Sequence, residues 1–263
     1  MMSFIEFEKR TRDTPMQMNV PHSHEYYELY FLRKGERSLF VESAMFSVPE
    51  NTFFAIPPYL LHKTEGSAYE RININLSPDL LGPSQQAFLQ QVGKCGLQMN
   101  NETGDLIFRL LDKGVELQLR NASDRQENQL ILSKAILLLL SEQTAAPLRA
   151  VSAVTAGKQE SDVLKIVFYL NTHFREPLSL ERLSREYFLS KATLCGKFRR
   201  VMHCSIMEYV AGLRLTKAKQ LLRYSDKRIE EISEECGYSS PNYFGLIFKK
   251  EVGLSPLNFR KSR

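Results

Sequence analysis

No stretch of this 263-residue chain approaches the ~18 uninterrupted apolar residues that a membrane-spanning helix needs. The most apolar run, Ala135 to Leu140, is far too short, so no membrane partner is expected. The N-terminus lacks a basic segment followed by an apolar one, and no secretory leader is expected either. Cysteine is scarce. Cys95, Cys195, Cys204 and Cys236 include no C-x-x-C pair, which argues against a disulfide framework or thiolate zinc site and makes a reducing cytoplasm the expected compartment. Cys195 lacks an evident resolving partner, so packing accounts for it better than redox sensing.

Charge is unevenly spread. Residues 158–263 carry 20 Lys and Arg against 12 Asp and Glu, a balance of +8, whereas residues 1–157 carry 15 against 18, a balance of −3. The basic half is the part expected to meet a polyanion.

Hydrophobic patterning divides the chain into three. Residues 1–83 hold short runs rich in β-branched and aromatic residues, at Glu28–Arg33, Ser38–Glu42, Thr52–Ile56 and Arg71–Leu76. Turn residues such as Lys34-Gly35 and Pro57-Pro58 punctuate them, which predicts a barrel or sandwich. Residues 84–146 read as helices, with Leu106, Leu110 and Leu111 and then Ile131, Ala135 and Leu138 at helical spacing. Their apolar excess is explained by packing on the strands or by a subunit interface. Residues 147–160, rich in small residues, read as a linker, and residues 161–263 as helical throughout.

The last region repeats itself. Phe198-Arg-Arg-Val returns fifty residues later as Phe248-Lys-Lys-Glu-Val, Leu194 pairs with Phe244, Tyr209 with Phe259, and Leu183-Ser184 with Ile232-Ser233, the copies differing by one residue in the turn. Each copy reads as helix, tight turn, helix. Ser179 caps the first helix, although Arg182 stands where a full capping box needs Glu or Gln. Ser190 caps the second, Gly237 makes the second turn, and Ser240-Pro241 opens the last helix. Helical phase then turns Leu194, Phe198, Phe244 and Phe248 inward. Ala192, Gly196 and Arg199, flanked by Thr193 and Cys195, face out on one helix. Asn242, Leu246 and Lys249, flanked by Tyr243 and Gly245, face out on the other.

The stretch from Ile229 to Arg260, with Glu235-Cys-Gly-Tyr-Ser-Ser-Pro-Asn-Tyr-Phe at its centre, resembles the signature of AraC/XylS-family regulators, and Tyr209–Leu222 resembles that family's linker helix. The resemblance implies seven helices and a DNA-binding domain whose two recognition helices enter successive major grooves, consistent with the ~34 Å repeat of the duplex. It also implies a homodimer, RNA polymerase as a further partner, activation as the commoner sign of regulation, and no catalytic residues. Ala192, Cys195 and Gly196 depart from the Arg, Gln or Trp the family often carries, leaving no bidentate reader of guanine on the first helix. Asn242 could read adenine and Leu246 a thymine methyl. Lys191, Arg199, Lys249, Lys250 and Arg260 are candidates for the phosphates, with Tyr243 beside them. One domain alone is therefore expected to show weak sequence preference, with specificity completed by a dimer.

In the first region, His22-Ser-His24-Glu-Tyr-Tyr-Glu28, followed by Gly35, resembles the first motif of cupin barrels, and Pro49, Ile56-Pro57-Pro58 and His62 resemble a degenerate second. The implied architecture is α+β and multidomain: a cupin-like β-barrel with dimerisation helices over 1–146, then the all-α domain with two helix-turn-helix units. By the same resemblance His22, His24, Glu28, Tyr30, His62 and Arg71 line a pocket for a small effector, with a sugar the family default and no cofactor. A metal held by His22, His24, Glu28 and His62 is the alternative, since two imidazoles two apart on a strand share a face. Two other readings stand beside the regulator: a metal-dependent cupin enzyme with a DNA-binding tail, and a ligand-independent regulator whose barrel only dimerises.

Overall fold

A computed structural model describes residues 3–262 apart from 15, 18–19, 43, 94, 120–122 and 143–157. The first half is built on one sheet. Strands β1 (Ile5–Arg12), β2 (Met16–Gln17), β3 (Tyr27–Val41), β4 (Ala44–Val48), β5 (Thr52–Ile56), β6 (His62–Leu76) and β7 (Leu97–Gln98) pair in the order β1-β6-β3-β5-β7, with β2 on β6 and β4 on β3. Every named pairing is antiparallel.

The sequence suggests short strands, but two of those present are long. Lys34-Gly35 does not end a strand. It sits in β3, where pairing with β6 shifts register between Leu32 and Lys34 and again between Gly35 and Arg37. Gly35 has φ 90°, and a Cβ there would strike the Ala68 carbonyl. The irregularity thus bends one strand where a turn was expected. The charged outer residues of β1 hide its alternation, in which Ile5 and Phe7 are buried.

Period-two alternation gives the sheet two unlike faces. Leu29, Phe31, Ile72 and Ile74 pack with α1 (Pro83–Val92), α2 (Asn101–Leu119) and α3 (Arg125–Glu142) into one core. Tyr30, Leu32, Leu39, Phe54 and Ile56 form a second cluster on the opposite face. On α3 the buried set is Ile136, Leu137 and Leu140, while Ile131 and Leu138 face solvent. On α2, Leu111 is buried and Leu106 exposed. The run Ala135–Leu140 is apolar all round, so helical periodicity cannot choose its buried side.

Arg33 fastens the sheet to α2: its guanidinium donates to Glu70 Oε1 and Asp112 Oδ2, both at 2.7 Å, and to the Phe108 carbonyl at 3.0 Å. Hydrogen bonding from Lys9 on β1, joined by Arg33, holds the Glu70 carboxyl below its ordinary range against the opposing effect of burial. A carboxylate with a depressed folded pKa stabilises above its unfolded value, near ~4.3, and loses that contribution as pH falls through the folded one. The acid limb of a stability–pH profile is therefore expected to flatten in Glu70→Gln, measured by urea denaturation from neutral pH downward.

The second half is helical: α4 (Lys158–His173), α5 (Leu180–Glu186), α6 (Lys191–Met202), α7 (Ile206–Tyr224), α8 (Ile229–Glu235), α9 (Pro241–Val252) and α10 (Pro256–Lys261). The expected linker lies outside the described residues up to 157, and its last three positions instead open α4. The pairs α5–α6 and α8–α9 each place a short helix before a longer one. Phe188 and Gly237 take the left-handed conformation at matching turn positions, φ 52° and 78°. Gly237 has no alternative, since a Cβ would lie 2.5 Å from the Arg175 carbonyl oxygen. Phe188 projects outward instead, almost wholly exposed. Each pair has its own core, the first around Leu183, Leu194 and Phe198, the second around Ile232, Phe244 and Phe248.

The first core also takes in Phe40 and Leu61 from the sheet domain. Around that apolar join the domains are stitched by polar contacts. Asn171 Nδ2 and the Tyr209 hydroxyl both donate to the Glu42 carbonyl, at 3.0 and 3.3 Å, and Arg223 Nε meets Glu25 at 2.9 Å. Lys63, 0% exposed, donates to the Val201 carbonyl at 2.6 Å and pairs with Glu65 at 3.1 Å. Val201 lies in the last turn of α6, where the unsatisfied carbonyls favour a cation. Lys63→Met is expected to cost about 1.5–3 kcal/mol, the worth of a charged hydrogen bond, read by denaturant unfolding. A change below about 0.5 kcal/mol, typical of surface substitutions, would show that the contact does not matter.

Candidate DNA-reading surface and effector site

Helices α6 and α9 have the same pattern of burial along their first ten residues. Leu194 and Phe198 are buried on one, Phe244 and Phe248 on the other, which fixes the opposite faces outward. Both helices start on a serine whose hydroxyl accepts from the third residue onward: Ser190 from Thr193 N at 3.2 Å and Ser240 from Tyr243 N at 3.3 Å. Ser179 caps α5 in the same way, accepting from Arg182 N. Ala192, Thr193, Gly196 and Arg199 are exposed on α6, with Cys195 half-buried; Asn242, Tyr243, Leu246, Lys249 and Lys250 are exposed on α9. Lys191 is exposed but held by Glu181. Arg260 is half-buried and donates to the Lys227 carbonyl at 2.5 Å, bracing α10 against the start of α8. Open space surrounds the Cβ direction of Gly196, so no packing explains a residue that costs ~0.5–1 kcal/mol relative to alanine inside a helix.

The N-terminal candidates converge on Glu28. His24 and Glu28 come from the entry to β3 and from β3 itself, His62 and Arg71 from β6, and His22 bridges to His62 through paired backbone hydrogen bonds of 3.0 Å. Glu28 Oε2 lies 3.2 Å from His24 Nε2 and 3.4 Å from His62 Nε2, and Glu28 Oε1 accepts from Asn73 Nδ2 at 2.5 Å and Arg71 Nη1 at 3.4 Å. Burial pushes this carboxyl up, but hydrogen bonds from His24 and His62, when each carries a proton on Nε2, together with the Arg71 guanidinium outweigh it and hold it well below the usual range. The sequence missed Asn73, although period two from Arg71 places it on the same face. Tyr30 lies under Arg71, 5.5 Å from ring centroid to guanidinium carbon, and its buried hydroxyl has no hydrogen-bond partner among the described residues. Buried polar atoms of this kind are few in native proteins.

The ring nitrogens add a constraint. His24 Nδ1 lies 2.8 Å from the Tyr26 carbonyl oxygen and His62 Nδ1 2.9 Å from that of Leu60. A carbonyl only accepts, so each Nδ1 carries a hydrogen. In the neutral tautomer each Nε2 then turns a lone pair toward the Glu28 carboxylate. Atoms of His22, Glu28 and His62 able to bind a cation lie within 4.8 Å of one another.

Residues 5–140 match the family model described as an AraC-like ligand binding domain, and residues 183–262 match one described as a helix-turn-helix domain. A ligand-binding sheet domain followed by a helical DNA-binding domain defines a class of transcription regulators. The chain belongs to the AraC family of that class. It is similar to the HTH-type transcriptional activator RhaS of Citrobacter koseri, 29% identical over 147 residues, covering 56% of this chain and 52% of that one. It is also similar to the HTH-type transcriptional regulator YdiP of Escherichia coli K12, 36% identical over 107 residues, covering 40% and 35%. The chain thus spans about half or less of the length of these relatives. The C-terminal domain of AraT, a response regulator from Geobacillus stearothermophilus, aligns with 41% of this chain and 89% of its own at 29% identity and TM-score 0.39. Among the described residues no helix is long and apolar enough to cross a membrane.

Proposed function

We propose that the protein is a cytoplasmic, sequence-specific regulator, acting as an activator under the control of a small molecule, with α5–α6 and α8–α9 serving as two DNA-reading helix-turn-helix units. The observation that carries this reading is the matched exposure of α6 and α9 on the basic half of the chain, with Thr193 and Arg199 outward on one and Asn242, Lys249 and Lys250 on the other, above two separate cores. Asn242 and Leu246 read bases, while Lys191, Arg199, Lys249, Lys250 and Arg260 meet phosphates. Ala192, Thr193, Cys195, Gly196 and Tyr243 shape the contact surface, and Gly196 lets DNA approach the backbone closely. Activation agrees with the relative named a transcriptional activator, and RNA polymerase is the partner it implies.

Titration of the full chain on a selected operator tests this. Asn242→Ala is expected to relax preference at one base pair by ~1–3 kcal/mol. Lys249→Ala is expected to weaken all sequences alike and lower the salt slope by about one. Equal loss on operator and random DNA for Asn242→Ala would remove that residue from base reading.

His22, His24, Glu28, Tyr30, His62 and Arg71 form the effector site of the cupin-like barrel, supported by the unpartnered Tyr30 hydroxyl, with sugars the first ligands to screen by thermal shift. Homodimerisation through α2 and α3 is supported by the solvent-facing Ile131 and Leu138.

A second reading has one observation behind it. Two imidazole lone pairs turned toward a carboxylate repel it unless extra protons or a cation stand between them. His22, Glu28 and His62, with donor atoms within 4.8 Å of one another, are a nitrogen–oxygen set that suits zinc, manganese, iron or nickel, with His24 beside Glu28 as the further candidate, and the Nδ1–carbonyl contact of His62 is the second-layer partner such ligands commonly have. Elemental analysis of protein equilibrated with each metal tests it. Stoichiometric metal lost in His62→Ala supports the metal, and turnover as well would favour a cupin enzyme. Metal-free protein with protonated imidazoles by NMR excludes it.

A further inference from the structure

The two helix-turn-helix pairs pack on opposite ends of α7. Ile206, Tyr209, Val210 and Leu213, in its first half, join Leu194 and Phe198. Leu215, Ala218, Leu221 and Leu222, in its second half, join Phe244 and Phe248. The sheet domain's polar contacts fall on α4, α6 and α7, through Asn171, Val201 and Arg223. Units with separate cores move against each other unless something ties them, so the orientation of α8–α9 relative to α5–α6 depends on the side chains that bridge the two.

Arg214 is such a bridge. It stands near the middle of α7, between the two apolar sets, and is half-buried there. Its Nε donates to the Phe174 carbonyl at 2.8 Å and its Nη2 to the Glu176 carbonyl at 3.0 Å. Both arms of the fork thus grip the connection from α4 to α5. The guanidinium carbon also lies 5.9 Å from the centre of the Tyr238 ring, in the turn before α9, within the reach of a cation–π contact. Tyr238 packs on Phe244 at 5.0 Å and on Tyr243 at 6.4 Å, the first the buried anchor of α9 and the second exposed beside its outward face. Behind Arg214 the two turns meet directly, because Gly237 has no Cβ to strike the Arg175 carbonyl.

We propose that Arg214 is a positioning residue for DNA binding: by tying the α4–α5 connection to the turn before α9, it holds α6 and α9 at one relative orientation and makes the chain selective for the spacing between the two patches of its operator. The inference rests on the reading of α6 and α9 as DNA-reading helices. Two acceptors a fork apart suit a guanidinium, whereas the ammonium of lysine is a compact point charge. One extra base pair between the patches displaces the second by ~3.4 Å and turns it by ~34° about the duplex axis, which a fixed pair of helices does not follow.

The test has two readouts on the full chain. The first is titration of a selected operator and of versions with one base pair added or removed between the patches. The parent is expected to bind the altered versions about tenfold or more weakly, the loss of the base contact made by α9. Arg214→Met is expected to bind the selected operator more weakly but to discriminate by only about threefold, since a looser link lets both units engage at several spacings. A variant that is merely less stable would bind every version less and keep the ratio. Arg214→Lys is expected to fall between the two, and serves in place of Arg214→Met if the latter does not fold. The second readout is the distance distribution between nitroxide labels at Glu186→Cys and Glu230→Cys, with Cys95 and Cys195 replaced by serine, measured without DNA by dipolar electron paramagnetic resonance. It is expected to be narrow in the parent and broadened in Arg214→Met. An unchanged distribution, or a parent and Arg214→Met that discriminate equally, overturns the role of Arg214. A parent that ignores spacing overturns the two-unit reading of DNA, and the proposal with it, even where the distribution broadens.

Discussion

Phe248→Ala is expected to lower stability by about 3–5 kcal/mol, the cost of emptying a large buried aromatic site, and to remove the hold of the α8–α9 unit on the operator with it. Phe248 is fully buried beside Phe244 and Phe259, with ring centroids 5.6 and 5.3 Å away, and its cluster also holds Ile232 and Leu222. The cavity would open under α9, so α9 would lose the packing that aims its outward face. Leu246, two residues earlier, is 71% exposed. Leu246→Ala is expected to leave unfolding within about 0.5 kcal/mol of the parent while reducing discrimination at a thymine-bearing position. Thermal unfolding of both variants, followed by titration at fixed salt, separates the two roles. Similar stability losses for both would mean that the helix is rotated relative to this description.

Glu28→Gln is the other substitution with a large expected effect. The carboxylate is the common acceptor for Arg71 and Asn73 and faces two imidazoles. Glutamine keeps the shape but removes the charge. Breaking one side of a buried pair costs about 3–5 kcal/mol, chiefly because the remaining charge stays buried and unpaired. Arg71, only 12% exposed on its side chain, is that remaining charge. Adding Arg71→Met to Glu28→Gln is therefore expected to restore part of the loss, a coupling that a double-mutant cycle measures directly. Additive losses would show that Arg71 is stabilised by other neighbours, such as Glu8 at 3.8 Å.

The DNA-reading half was largely legible in the sequence because its signals are local. The fifty-residue repeat, the serine caps and the 3.6-residue spacing of Leu194, Phe198, Phe244 and Phe248 depend on neighbours within a few turns, and the structure places these residues as expected. The sheet half was less legible. β3 runs through Lys34-Gly35, which reads as a turn, and only its pairing with β6 shows that it is a bend. The apolar run on α3 did not name its buried side, because every side of it is apolar. The convergence of His22, His24, Glu28 and His62 was legible only through the resemblance to the cupin motifs. Lys63 and Glu65 were not, because their significance arises where two separately encoded domains touch. An isolated lysine in a sequence looks like solvated surface until something is found packed over it.

The most direct test of the central claim is a hydroxyl-radical footprint of the full chain on DNA recovered by repeated selection from a random pool. Two helix-turn-helix units reading successive major grooves predict an enriched sequence. They also predict two protected patches per bound chain on one face of the duplex, about one helical turn, or ~34 Å, apart, with protection at the second patch lost in Phe248→Ala. No enriched sequence, or a single protected patch per chain that survives Phe248→Ala, would contradict it.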